Sequence, residues 1–326
     1  MTALTTTRTP VANPLRTITF RFRLPSALGW GVGLLAALVV GSILIPLVSP
    51  YEVTTIGDTP FGGISAEHWL GTDNLGRDNL TRLASAAQVA LIVSFFATAI
   101  AAVIGSAIGI AAGYLGGMVD NIVMRLVDVL LAIPAVLLAL LAGAVFGHGM
   151  VPLILALALI ATPGFARLMR APIMALKERD FVVAAEVAGV RRPQIAIRHL
   201  LPNALTPLFV QFASTASLMV LLESTLSFLG QGIAPPDPSA GRMISDAIRF
   251  MQRDPMLILL PAALIVVVTI AWNLIADGLQ NKFSPQGGAL RIAVGPERPL
   301  VRRADVVVAP ATTTTPNLTS GKESTR

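Results

Sequence analysis

The 326-residue chain contains no cysteine, which excludes disulfide frameworks, thiolate metal sites and cysteine nucleophiles. Its three histidines, His68, His148 and His199, lie too far apart in sequence for an H-E-x-x-H motif or any clustered ligand spacing. Charge is scarce: Asp, Glu, Lys and Arg make up 13% of residues, about half the share of a soluble globular chain. A phosphate-binding loop is absent as well. Gly321-Lys322 is followed by Glu323 rather than Ser or Thr, and no strand precedes it. Any use of ATP therefore has to come from a partner chain.

What is abundant is apolar surface. The chain is 54% hydrophobic with a mean hydropathy of +0.73, more than a soluble protein can cover with polar groups. A helix needs roughly 20 mostly apolar residues to cross a bilayer. Six stretches qualify, at 28–48, 86–115, 122–146, 149–168, 204–228 and 256–276. The third and fourth are separated only by Gly147-His148-Gly149, with Pro152 close behind. The first is too long for the apolar core of a signal peptide and no A-x-A-like site follows, so it reads as an uncleaved anchor.

Orientation follows from the basic residues. With the N-terminus inside, 19 of the 24 Lys and Arg fall in cytoplasmic segments; Arg77, Arg82, Arg242, Arg249 and Arg253 fall outside. Both termini are thus expected in the cytoplasm. The sequence pI of 10.7 signals topology and no nucleic-acid partner. The expected domains are a cytoplasmic tail at 1–25, a membrane domain at 26–285 and a disordered cytoplasmic tail at 286–326, whose end is rich in Thr, Pro and Ser.

Several features inside the spans bear on packing or function. Gly105, Gly109, Gly113 and Gly117 recur every four residues, a row that lets another helix approach closely. Pro134 and Pro163 are expected to kink or end their helices. Three acids lie in or at the ends of spans, and each needs a partner or water. Asp128 is one turn from Arg125, which suggests an i,i+3 ion pair. Asp277 ends the last span and can sit in water. Glu223, beside Ser224, Thr225 and Ser227, is either a polar patch on a translocation path or one side of a satisfied interhelical hydrogen bond. In the outer loop, Asp73, Arg77 and Asp78 can form a site; the plainer reading is a polar turn that sets Trp69 at headgroup level.

The most informative stretch is the cytoplasmic loop 177–203. Its punctuation predicts helix, break, helix. Asp180 can cap a first helix through Ala184, Ala185, Glu186 and Ala188; Gly189 fits a left-handed C-cap; Pro193 suits the first turn of a second helix; Pro202 marks the junction with the fifth span. This loop resembles the EAA loop of ABC-importer inner-membrane permeases. Val183-Ala184-Ala185, Gly189 and His199-x-Leu201-Pro202 hold the family's spacing, with Val183 in place of its acid and His199 in place of its isoleucine. Both departures are similar to the dipeptide/oligopeptide/nickel branch, as is the run Arg198 to Asn203. His68 to Asp78, Asp128 to Pro134, Glu223 to Gly232 and Asp277-Gly278-Leu279 also look like segments of that branch, in its order.

The resemblance is closest to the C-type permease subunit of peptide importers. It implies an all-α type I permease with six spans in the inner membrane, importing short peptides, with nickel or glutathione as alternative cargo. The partners implied are a second permease subunit, two ABC ATPase domains that bind ATP and Mg, an extracytoplasmic substrate-binding protein and membrane lipid. No enzyme activity, cofactor or metal is expected on this chain. Ala184, Ala185, Glu186, Gly189 and Arg191 are the expected ATPase contacts; Glu223 and Ser227 are candidates for the translocation path. A secondary transporter or channel is the remote alternative, lacking here the intramembrane acid pairs or internal repeat it needs.

Overall fold

The computed structural model describes residues 27–283; the tails expected at 1–25 and 286–326 lie outside them. Among the described residues there is no strand beyond one isolated antiparallel bridge, Thr72 to Asp78. Long helices form the membrane body: α1 (Ala27–Val48), α2 (Asn79–Leu115), α3 (Gly117–Ala132), α4 (Ala135–Phe146) and α5 (Met150–Lys177). The inner loop carries α6 (Asp180–Val187), α7 (Arg192–Ile195), a wide helical turn at Ala196–Leu200 and α8 (Leu201–Asn203). Then follow α9 (Leu205–Phe228), α10 (Ala240–Ala247) and α11 (Met256–Phe283).

Five of these helices are long and apolar enough to cross a membrane, and six spans result if α3 and α4 count as one broken span. Four ends run past the apolar stretch that marked them. α2 starts at Asn79 rather than 86, α3 at Gly117 rather than 122, α5 continues to Lys177 rather than 168, and α11 to Phe283 rather than 276. Polar helix beyond the hydrocarbon edge carries no desolvation cost, so the apolar run underestimates helix length.

The third span is not one helix. α3 and α4 meet at 96°, with Ile133 extended (φ −85°, ψ 128°) and Pro134 opening α4. Pro134 thus breaks the helix as expected. Pro163 does not end its helix: α5 runs through both Pro163 and Pro172. Pro163 is buried in the bundle, where tertiary packing outweighs the lost hydrogen bond.

The glycine row is real for three of its four members. A Cβ on Gly105 would lie 2.5 Å from Thr162 O, one on Gly109 would overlap Ala166 O, and one on Gly113 would lie 2.9 Å from Arg170 O. α2 and α5 therefore cross with their backbones nearly touching. Gly117 does not belong to the row. It follows Gly116, both have positive φ (65° and 57°), and nothing lies within 4 Å of a Cβ on it. The two glycines turn the chain from α2 into α3.

Residues 49–78 form a folded cap, more than a polar turn. Asp73 accepts hydrogen bonds from Leu75 N–H (2.8 Å) and Arg77 N–H (3.0 Å) and pairs with Arg77 Nε at 2.7 Å. Asp78 caps α2 by accepting from Thr81 N–H at 2.8 Å and meets His68 Nδ1 at 3.0 Å. Arg82, buried in the first turn of α2, donates to Val53 O at 3.1 Å. Arg253, from the loop after α10, stacks 4.0 Å over the Phe61 ring. Trp69 is exposed, as a ring at the membrane boundary would be.

Candidate functional site

Three places on the bundle carry chemistry. The first is the inner loop. α6 ends in a Schellman arrangement: Val190 N–H bonds Ala185 O at 3.0 Å, and Gly189 sits at φ 77°. The expected helix, left-handed glycine and second helix are all present. Pro202 lies within α8, and the junction with α9 falls at Ala204. The loop folds because one side of it is apolar. Val182, Ile195, Leu200 and Ala204 are fully buried in a core with Met169 and Ile173 of α5, flanked by Ile110 and Tyr114 of α2. The result is a knob seated on the inner ends of α2 and α5.

The other side of the knob faces outward. Ala184, Gly189 and Arg191 are exposed, and Val183 and Val187, one turn apart on α6, are 49% and 85% exposed. Ala185 is turned partly inward against the core, so of the expected contacts it supports the knob more than it covers it. Glu186 lies in the last turn of α6. Nothing lies within 4 Å of a Cβ on Gly189, so this face has room for a partner. The exposed side of the knob thus carries a small apolar row, Val183 and Val187, near Arg191.

The second place is Glu223. It is wholly buried, as is Ser227. Ser227 Oγ donates to Glu223 Oε1 at 2.8 Å and Ser224 Oγ to Oε2 at 3.1 Å. Ser239 caps α10, and Gly241 lies so close to Ser224 that a Cβ there would overlap its carbonyl oxygen. The carboxylate and its two serines thus lie at the joint where Gly241 of α10 meets the Ser224 carbonyl of α9. In this conformation the chain's own elements enclose Glu223 and Ser227, and neither faces an open surface.

The third place is the contact of α3 with α5. Asp128 pairs with Arg167 Nη2 at 2.5 Å, correcting the expected pair with Arg125. Arg125 is on the same helix, but α5 brings a guanidinium alongside from another element. Arg170 grips both oxygens of Asp120 through Nε and Nη2, each at 2.5 Å. This second pair escaped sequence reasoning. Asp120 follows a double glycine and reads as loop, and Arg170 lies past the apolar end of its span. The available signal was two acids eight residues apart on one short amphipathic helix, with two arginines three apart on another.

A body of five or six apolar helices long enough to cross a bilayer, with a folded knob between two of them, defines a multi-span membrane protein. Residues 105–286 match the binding-protein-dependent transport system inner membrane component family, and the chain belongs to that family. The dipeptide transport system permease protein DppC of Alkalihalophilus pseudofirmus is 36% identical over 258 residues, covering 78% of this chain and 84% of its own. The glutathione transport system permease protein GsiD of Salmonella typhimurium is 36% identical over 278 residues, covering 85% and 92%. Among solved structures, the inward-facing MetNI methionine ABC transporter aligns with 60% of this chain and 95% of its own, at 19% identity and a TM-score of 0.48. By that family and those relatives, the chain is an all-helical, multi-pass inner-membrane permease subunit of an ABC importer.

Proposed function

We propose that this permease subunit imports short peptides, paired with a second permease subunit and driven by two ATPase domains that dock on the knob at residues 180–203. The observation that carries the docking reading is the exposed face of Ala184, Val187, Gly189 and Arg191, set on a core shared with α2 and α5. A surface held that firmly can pass a push into the spans. ATP and Mg are bound by the partner ATPases, and an extracytoplasmic binding protein delivers the cargo. Both tails face the cytoplasm. Glu223 and Ser227 serve the path indirectly, by fixing α10 against the outer end of α9.

Peptide cargo is favoured by the similarity to the dipeptide permease, and glutathione, itself a small peptide, by the similarity to the glutathione permease at greater coverage. Uptake of a labelled dipeptide challenged with glutathione, and the converse, separates the two. Competition by neither, with uptake of another solute, would replace the cargo assignment.

The docking reading is tested at Gly189. A β-branched residue at φ 77° costs roughly 1–2 kcal/mol in backbone strain and meets nothing within this chain. Gly189→Val should therefore insert and pair with its fellow permease, yet lose the ATPase subunits on purification and lose cargo-stimulated ATP hydrolysis. Arg191→Glu should weaken docking less, because an exposed rim charge contributes about 1 kcal/mol or below. Wild-type co-purification and uptake by Gly189→Val would sink the docking role of this loop.

A further inference from the structure

The inner half of α5 is held from two sides by different chemistry. Against α2 it is held by backbone approach at Gly105, Gly109 and Gly113, and by Lys177 Nζ donating to Gly113 O at 3.3 Å. Against α3 it is held by charge, through Asp120–Arg170 and Asp128–Arg167. The two pairs are not alike. The Asp120 side chain is 9% exposed and Arg170 closes on it with both prongs, whereas Asp128 and Arg167 are each more than half exposed. A two-pronged guanidinium–carboxylate contact fixes angle as well as distance. Arg170 lies about 30 Å along α5 from Met150, at the inner edge of the hydrocarbon, where a lone charge is poorly solvated and a paired one is retained.

Little else holds α3. Only Asp120 and Val127 are buried along it, while Met118, Ile122, Leu126 and Val129 are exposed. The corner at Leu131–Pro134 is exposed as well. Beyond the corner, Ala139 of α4 packs in a core with Leu153 and Leu157 from the outer half of α5. One helix thus grips the broken span at both ends, by charge at α3 and by apolar packing at α4, with Pro163 between the two grips as a point where it can bend, and leaves an unpacked corner between. The same helix puts Met169 and Ile173 into the core under the knob.

We propose that Asp120 and Arg170 are positioning residues: they form the clamp through which a displacement of the knob reaches α3 and the corner at Ile133–Pro134. The inference rests on the knob being the ATPase docking face. A push on α6 to α8 moves Met169 and Ile173, and the inner end of α5 with them. The clamp makes α3 follow, α4 stays with the outer half of α5, and the corner absorbs the difference. With the clamp cut, α5 still moves when ATP is turned over, but the broken span does not follow and cargo is left behind.

The test uses the whole importer in proteoliposomes, with Asp120→Asn, Arg170→Gln and the charge-swapped double Asp120→Arg/Arg170→Asp. Three quantities are read: ATPase co-purification, ATP hydrolysis, and cargo imported per ATP. Both single variants should keep the ATPases bound and hydrolysis within about twofold, and lose roughly tenfold in cargo per ATP, a usual size for a coupling free energy. The swap should recover to within about threefold of wild type. A wild-type ratio in either single variant overturns the clamp, as does a swap that assembles with its ATPases and recovers nothing. Should the single variants fail to reach the membrane, Arg170→Lys decides. It keeps the charge and loses the second prong, so its ratio should fall between wild type and zero, and a wild-type ratio again overturns the proposal. Co-purification reports on docking and the ratio on the clamp, so failure of one reading is distinguishable from failure of the other.

Discussion

At the scale of single residues, Glu223 is the sharpest case of a carboxylate whose environment decides its role. An acid in an apolar span reads from sequence as costly and therefore functional. Here two serines of its own helix take up its oxygens, beside the joint with α10. Replacing it with Leu removes the acceptor. Ser224 and Ser227 can fall back on carbonyls one turn earlier in α9, but only by turning away from a wholly buried site packed against Gly241 of α10. Glu223→Leu should therefore lose about 1–3 kcal/mol and a few degrees of thermal midpoint in detergent. Glu223→Gln keeps the shape and one acceptor oxygen, so it should melt near wild type while transporting more slowly. A Leu variant with wild-type melting and uptake would show that the joint does not depend on Glu223.

Helix pairs form the next scale, and the contact of α2 with α5 separates propensity from packing. Glycine inside a helix costs about 1 kcal/mol against alanine, so a Gly→Ala change stabilises wherever space allows. Gly33 has space, since nothing lies within 4 Å of a Cβ there. Gly109 has none, because its Cβ would overlap the carbonyl oxygen of Ala166. Gly33→Ala should hold or raise the melting midpoint, and Gly109→Ala should lower it by several degrees, as overpacking of about 1–3 kcal/mol outweighs the propensity gain. Equal shifts in the two variants would mean that the glycine row is incidental. The row was legible in sequence because small residues at a four-residue spacing share one helix face. Its false member, Gly117, shares the spacing but lies beyond the turn at Gly116, and spacing cannot show where a helix stops. The same limit hid the clamp. Apolar runs fix where hydrocarbon is crossed, yet the helices continue past it, and Asp120 and Arg170 lie in those continuations. Pro134 announced a break, but the 96° of the bend comes from what α3 and α4 each lean on, which is tertiary. The knob was legible almost residue by residue, since caps, glycine and proline act locally.

For the whole molecule, everything that has been called inner or outer depends on one inference, the charge bias that puts 19 of 24 basic residues on one side. Four of the five arginines of the outer side are held in local contacts: Arg77 with Asp73, Arg82 with Val53 O, Arg242 with Asp246 at 3.1 Å, and Arg253 on the Phe61 ring. The knob bears its exposed Arg191 on the opposite side. Two reporter sites test this without disturbing packing. Gly63 lies in an exposed stretch of the cap with nothing within 4 Å of its Cβ, and Phe283 ends α11. A reporter active only outside the cytoplasm should be active when inserted after Gly63 and silent when fused after Phe283. One active only in the cytoplasm should give the reverse. Phe283 and Gly63 scoring on the same side would mean that the broken α3–α4 pair does not cross as one span, since removing that crossing reverses the side of every later helix. The knob would then be outside, beyond the reach of any ATPase, and both the docking reading and the clamp would fall together.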